Sequence, residues 1–247
     1  MLSLIEYIVD GDFDDLIHEH EFMEFFDKYY MEFNLEESKP SVKFTSQPWD
    51  DEGDLDDIYA QILKHVDANK AEFLRKAKFV ARKARNAKVY VGEFNVKSLK
   101  SFKDKVSNRD KKASQLTDVM RTSISVESAE DVEAVSKMIL KTFVVVNKKG
   151  GLVDAKTKGK DKDFGYYGAN HFLVNMNGLV SEIIVMTKRL SSMKDEAHKF
   201  YDEHRDAVDY AKKHGTELTP DVLKDMDRSK RMFAQGNRSN KFYNRGK

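Results

Sequence analysis

Glu182 is the one charged residue in the apolar run SEIIVMT, residues 181–187. A carboxylate inside a β-branched strand is costly to bury unless a metal, a basic partner or a substrate compensates it, so Glu182 is the first candidate for chemistry. A second strand-borne acid, Asp118, opens the run DVMRTSISV. Two carboxylates at one edge of a sheet would suit Mg²⁺, which takes one or two protein carboxylates and leaves its other positions to water and substrate phosphates. Lys97, Ser101 and Lys105 recur at four-residue spacing in KSLKSFKDK. On a helix that spacing aligns two ammonium groups and a hydroxyl on one stripe, an arrangement fit for a polyphosphate. Lys162-x-x-Gly165-Tyr166 adds a Gly that permits a tight backbone and a Tyr whose flat face can stack a base.

These residues need elements to hold them. The pattern predicts helices over about 55–85, 97–106, 128–141 with Ser128 as N-cap, 190–214 and 219–234. Strands are predicted in KVYVGEF (88–94), TDVMRTSISV (117–126), TFVVVN (142–147), 170–176 and 180–187, with Asn177-Gly178 as a hairpin turn. Residues 38–54 and the Gly/Lys-rich 148–164 read as loops, and residues 12–33 as an acidic amphipathic helix. The expectation is an α+β fold: a mixed sheet of about five strands with flanking helices, behind a helical N-terminal region.

At 247 residues with 40% hydrophobic and 34% charged content, the chain fits a soluble globular protein. No apolar run reaches the length of a membrane span, no secretory signal is recognisable, and the absence of cysteine removes disulfides and thiolate zinc sites, so the cytoplasm is the expected location. The net charge of +1 conceals a division. Residues 1–60 carry 18 Asp+Glu against 3 Lys+Arg, whereas residues 61–247 carry 40 Lys+Arg against 24 Asp+Glu. A basic body that meets anions, joined to an acidic segment able to cover it, is one reading; a merely solvated acidic face is the other. Three stretches follow: an acidic region 1–60, a catalytic region 61–215, and a C-terminal helix with a basic tail, 216–247. Neither a G-x-x-x-x-G-K-[ST] phosphate loop nor a serine-nucleophile signature is present.

Taken in order, these motifs resemble the RelA/SpoT-type nucleotidyltransferase domain of alarmone synthetases and related toxins, over residues 88–205. KSLKSFKDK is similar to the family's lysine-serine-lysine helix, the Asp118 strand to its metal-binding strand, and KDFGYYGAN to its acceptor-holding K-x-x-G-Y turn. GLVSEIIVMT is similar to the strand carrying the family's glutamate, and AHKFYDEHR to the helix after it. The resemblance implies transfer of pyrophosphate from ATP to a ribose 3′-hydroxyl, with a guanine nucleotide as default acceptor. It implies that Asp118 binds Mg²⁺ and that Glu182 assists the metal or acts as general base. Lys97, Ser101, Lys105 and Arg121 would then meet the donor phosphates, and Lys162, Gly165, Tyr166, Asn170 and His171 the acceptor.

The sequence departs from the family pattern at four places. Asn95 stands where many members carry arginine, Asn170 where many carry histidine (with His171 one step later), Ile184 where many carry glutamine, and Arg121 lies closer to Asp118 than the corresponding arginine. Alternation along a strand places Asn170 and His171 on opposite faces and turns Arg121 away from Asp118. Two other readings follow: modification of a tRNA 3′ end, suggested by the basic helix 71–88 and the basic tail, and an inactive nucleotide- or protein-binding module.

Overall fold

Alternate residues of strand β3 (Met120–Val126) are buried, namely Met120, Thr122, Ile124 and Val126, as expected of a strand with one face against a core. The computed structural model describes residues 43–83, 89–92, 94–107, 111–150 and 163–237. The acidic helix expected over 12–33, Lys162 and the basic tail from 238 lie outside them. β3 belongs to a sheet with β1 (Tyr90–Val91), β2 (Asn95–Val96), β4 (Val144–Gly150), β5 (Asn170–Met176) and β6 (Leu179–Thr187), ordered β1-β3-β6-β5-β4 with β2 also paired to β3. β3 and β6 are parallel and the other pairs antiparallel, so the sheet is mixed and the fold α+β, as expected.

Two helices cover one face. α1 (Leu55–Lys83) and α3 (Ala129–Thr142) send Ile58, Ile62, Phe73, Val80, Val132, Val135 and Ile139 into a core shared with Ile124, Phe172, Ile183 and Val185. The acids of the first turn of α1, Asp56 and Asp57, and the bases of its last turn, Arg82 and Lys83, complement its dipole. Ser128 caps α3 in a capping box with Asp131, as the sequence predicts. The second face is covered by a helical hairpin, α4 (Lys188–His214) and α5 (Pro220–Gly236), with Ile184, Met186, Leu190, Ala197 and Phe233 in one cluster. β6 is therefore buried on both faces, which is why its sequence is almost wholly apolar and why Glu182 stands out in it.

Two differences from the expected elements bear on the site. Of KVYVGEF only Tyr90–Val91 forms a strand, and a further short strand, Asn95–Val96, follows just beyond it, so six strands form where about five were expected. Tyr90 and Val91 pair with Ser125 and Ile124, whereas Asn95 and Val96 pair with Arg121 and Met120, so the edge strand gains one residue over its partner in between. Such a bulge re-aims every side chain beyond it. Gly92 sits at the break, where a Cβ would stand 2.3 Å from Ser123 Oγ. β4 also runs to Gly150, three residues into the expected loop, because Lys148, Lys149 and Gly150 pair with Phe172, His171 and Asn170. Asn177 and Gly178 both adopt positive φ (49° and 92°), the turn that Asn-Gly predicts. Among the described residues no helix is long and apolar enough to cross a membrane.

Candidate active site

Lys97 follows β2 directly, and the one-residue bulge sets its backbone N–H on the carbonyl of Val119, 2.9 Å away. The predicted helix begins later than the lysine spacing suggests: α2 spans Leu99–Ser107, so Lys97 lies outside it. Lys97 and Lys105 nonetheless meet, because both bind one oxygen of Asp118, Lys97 Nζ to Oδ2 at 2.8 Å and Lys105 Nζ at 2.7 Å. Fully buried Phe102 anchors α2, and Tyr59 of α1 donates its hydroxyl to the Lys97 carbonyl at 2.8 Å. Ser101 is exposed on α2 and joins neither ion pair.

Burial works to raise the Asp118 carboxyl, but the charge and hydrogen bonds of Lys97 and Lys105 outweigh it and hold it below the usual aspartate range. Burial lowers the Lys97 ammonium; Asp118 opposes that shift, while Lys105 and Arg121 add to it. Upstream, the buried Gln47 amide ties the two strand entrances together. Its Nε2 donates to the carbonyls of Leu116 (2.7 Å) and Val180 (2.8 Å), and its Oε1 accepts from Val180 N–H (2.9 Å). Each bond lies two residues before a candidate carboxylate.

On β6 and β5, Glu182 faces Leu173, and His171 faces Ile184, which puts Glu182 and His171 diagonally on the same face. His171 Nδ1 lies 2.9 Å from Glu182 Oε1, and His171 Nε2 lies 3.0 Å from the Tyr166 hydroxyl. For a neutral imidazole, one assignment satisfies both neighbours: Nδ1–H donates to the carboxylate and Nε2 accepts from the phenol. Burial, and secondarily the Glu182 charge, push the Tyr166 phenol well above its usual range, so it stays protonated and able to donate. Its ring meets His171 and Phe233 edge-on, with centroids 5.7 and 5.3 Å away. Tyr166 thus serves as a packing and hydrogen-bonding group here, rather than as the free stacking face expected from the sequence. Asn170 points to the opposite face, buried, with Nδ2 donating to Ser136 Oγ of α3 at 2.9 Å. Of the two adjacent residues expected on the acceptor side, the structure brings only His171 to Glu182.

Arg121 is the parallel partner of Glu182 across β3 and β6. A further cation, which the sequence reading passed over, comes from α4: Lys194. Burial lowers its ammonium and Arg121 lowers it further, against the pull of Asp195 and Glu182. The signal was present, since Lys194 lies four residues after buried Leu190 and three before buried Ala197, on the inward stripe of the helix. Neither Arg121 nor Lys194 forms an ion pair among the described residues, so crowded positive charge is available for an anion. Lys194→Met should weaken triphosphate affinity about tenfold, the worth of one charge-assisted bond, as read by titration calorimetry with a non-hydrolysable ATP analogue.

Both Asp118 ion pairs fall on Oδ2 and the Glu182 bond falls on Oε1, leaving Asp118 Oδ1 and Glu182 Oε2 without a hydrogen bond to the described residues. Asp118 precedes by three residues the position opposite Glu182, about 10 Å along a strand. A basic, phosphate-ready corner and a carboxylate–imidazole–phenol chain therefore lie along one pair of parallel strands.

Neither a protein-family model nor a curated protein sequence matches the chain. Solved structures do. Small alarmone synthetase 2 from Bacillus subtilis superposes with a TM-score of 0.52 at 15% identity, over 75% of this chain and 93% of that one. Small alarmone synthetase 1 from the same organism gives 0.51 at 15% identity, over 73% and 92%. The fold is that of the small alarmone synthetases. A GTP pyrophosphokinase family protein from Streptococcus pneumoniae shares it, with a TM-score of 0.51 at 15% identity, over 73% of this chain and 87% of that one. This fold delivers Lys97, Lys105 and Asp118 to one corner of the sheet and His171 and Glu182 to another.

Proposed function

We propose that the protein is an ATP-dependent pyrophosphokinase that transfers the β,γ-pyrophosphoryl group of ATP to the 3′-hydroxyl of a guanine nucleotide. The observation that carries this reading is the hydrogen-bond chain from Tyr166 through His171 to Glu182, on a strand whose parallel neighbour holds Arg121 and begins just beyond Asp118. Glu182, held at one oxygen by His171, keeps the other for the hydroxyl proton. In the proposed reaction the ribose 3′-oxygen bonds to the β-phosphorus of ATP, the bond from that phosphorus to the α,β-bridging oxygen breaks, AMP leaves, and the hydroxyl proton passes to Glu182. Lys97, Lys105, Arg121 and Lys194 offset the phosphate charge, which is most of what such a transfer asks of a protein. Asp118 Oδ1, unengaged, is a hard oxygen of the kind Mg²⁺ takes, with the ion's other positions left to water and substrate phosphates, while Glu182, at the other corner of the sheet, keeps Oε2 for the proton. Bound at Asp118, Mg²⁺ would neutralise phosphate charge.

The fold shared with alarmone synthetases supports this reading. Its test is incubation of the protein with γ-labelled ATP and Mg²⁺, offering GDP, GTP, adenine nucleotides and deacylated tRNA in turn. Label is expected on a guanine nucleotide. Label on tRNA alone would replace the acceptor, and nucleotide binding without transfer to any acceptor would overturn the enzyme reading.

A further inference from the structure

The turn that carries Tyr166 is built against α5, the last described helix, through contacts that span the chain. Ser229, fully buried, donates its hydroxyl to the carbonyl of Phe164 at 2.7 Å. Asn237, the residue after the helix and also buried, donates through Nδ2 to the carbonyl of Tyr167 at 3.2 Å and to that of Phe233 at 2.9 Å. The turn's two glycines lie under the same helix. A Cβ on Gly165 would stand 2.8 Å from the Lys230 Cα, and a Cβ on Gly168 would stand 2.1 Å from Asn237 Oδ1. Both glycines hold positive φ, 78° and 92°, which L side chains rarely adopt. Between these two fixed points Phe233 meets the Tyr166 ring edge-on. α5 is in turn pinned to α4, where His204 Nε2 lies 2.9 Å from Asp225 Oδ2 and Val208 packs with Val222 and Met226.

From this we propose that α5 is the positioning element for the turn: Ser229 and Asn237 fix the backbone on either side of Tyr166, so that its hydroxyl reaches His171 and the Tyr166–His171–Glu182 chain is aligned. The inference rests on the reading of that turn as the acceptor side of a pyrophosphokinase. It explains why this turn needs two glycines, one under each end of its contact with the helix. It also gives α5 a task in the reaction through the turn that it holds. Loss of either hydroxyl or amide leaves the turn with more freedom around Tyr166, and misplacement at such a distance costs reaction geometry before it costs the fold.

The test uses the full chain with Ser229→Ala and Asn237→Ala, each followed by hydrogen exchange and by steady-state kinetics. Amides of residues 164–171 are expected to exchange about tenfold faster in both variants, the factor that corresponds to one hydrogen bond of ordinary net strength, while the β3 amides keep their protection. The acceptor KM should rise by a similar factor with the ATP KM unchanged. Equal rises in both KM values, or faster exchange with no change in the acceptor KM, would overturn the proposal. Should one variant fail to fold, the other carries both readouts. Should the wild-type protein transfer to no acceptor, the function reading fails and exchange alone decides the clamp: unaltered exchange at 164–171 in the variants would sink it.

Discussion

Glu182→Gln is expected to lower the transfer rate by about 10²–10⁴-fold, the range for loss of a positioned general base, with the fold intact. The amide oxygen of glutamine can still accept the Nδ1–H of His171, which now lies 2.9 Å from Glu182 Oε1, so the chain to Tyr166 survives. What is lost is basicity. Removing a negative charge beside Arg121 and Lys194 also takes away an opponent of the incoming phosphates. The ATP KM should therefore stay level or fall while kcat collapses, a pattern that separates a missing base from a missing binding contact. Steady-state label transfer at saturating acceptor reads this directly. A loss confined to KM, or a variant within threefold of wild type, would remove Glu182 from the role of base.

The sequence made the large elements plain because their signals are local. β3 alternates, Ser128 meets its capping partner three residues on, and Asn177-Gly178 can hardly be anything but a tight turn. Glu182 was readable because a lone acid in an apolar run is costly and asks for a cause, whereas Asp118, expected within its strand, stands two residues before Met120, where β3 starts. The features that escaped depend on what meets what across the fold. A bulge of one residue after Val91 leaves no trace in a short apolar run, yet it decides which backbone group of β3 meets Lys97. Tyr166 looked like a stacking surface because nothing local reveals Phe233 and His171 at its edges. Ser229 and Asn237 carry no pattern at all, since their partners lie 65 and 70 residues away. Lys194 was within reach, for a lysine on the buried stripe of a helix is as conspicuous as an acid in a strand.

Asp118→Asn should be the most destabilising single change at the site, by about 2–4 kcal/mol in metal-free protein, because it strands positive charge rather than removing a contact. Lys97 is the reason: its side chain is only 8% exposed, and it shares Asp118 Oδ2 with Lys105. An amide in place of the carboxylate leaves the two ammonium groups sharing no counter-charge, with Arg121 adding to the repulsion at Lys97, and burial already disfavours the charged Lys97. The cost belongs to the triad, so it should shrink when one of the stranded cations is removed as well. Lys97→Met with Asp118→Asn is expected to be less destabilised than the sum of the single variants, by about 1–3 kcal/mol, as read from urea unfolding midpoints at constant slope. Strict additivity would mean that the three charges are already solvated apart. The double variant should nonetheless be inactive, since stability would return without the carboxylate oxygen offered to Mg²⁺ or the ammonium offered to phosphate. Such a result would show that this corner of the sheet keeps a buried charge cluster for binding, at a cost to the stability of the fold.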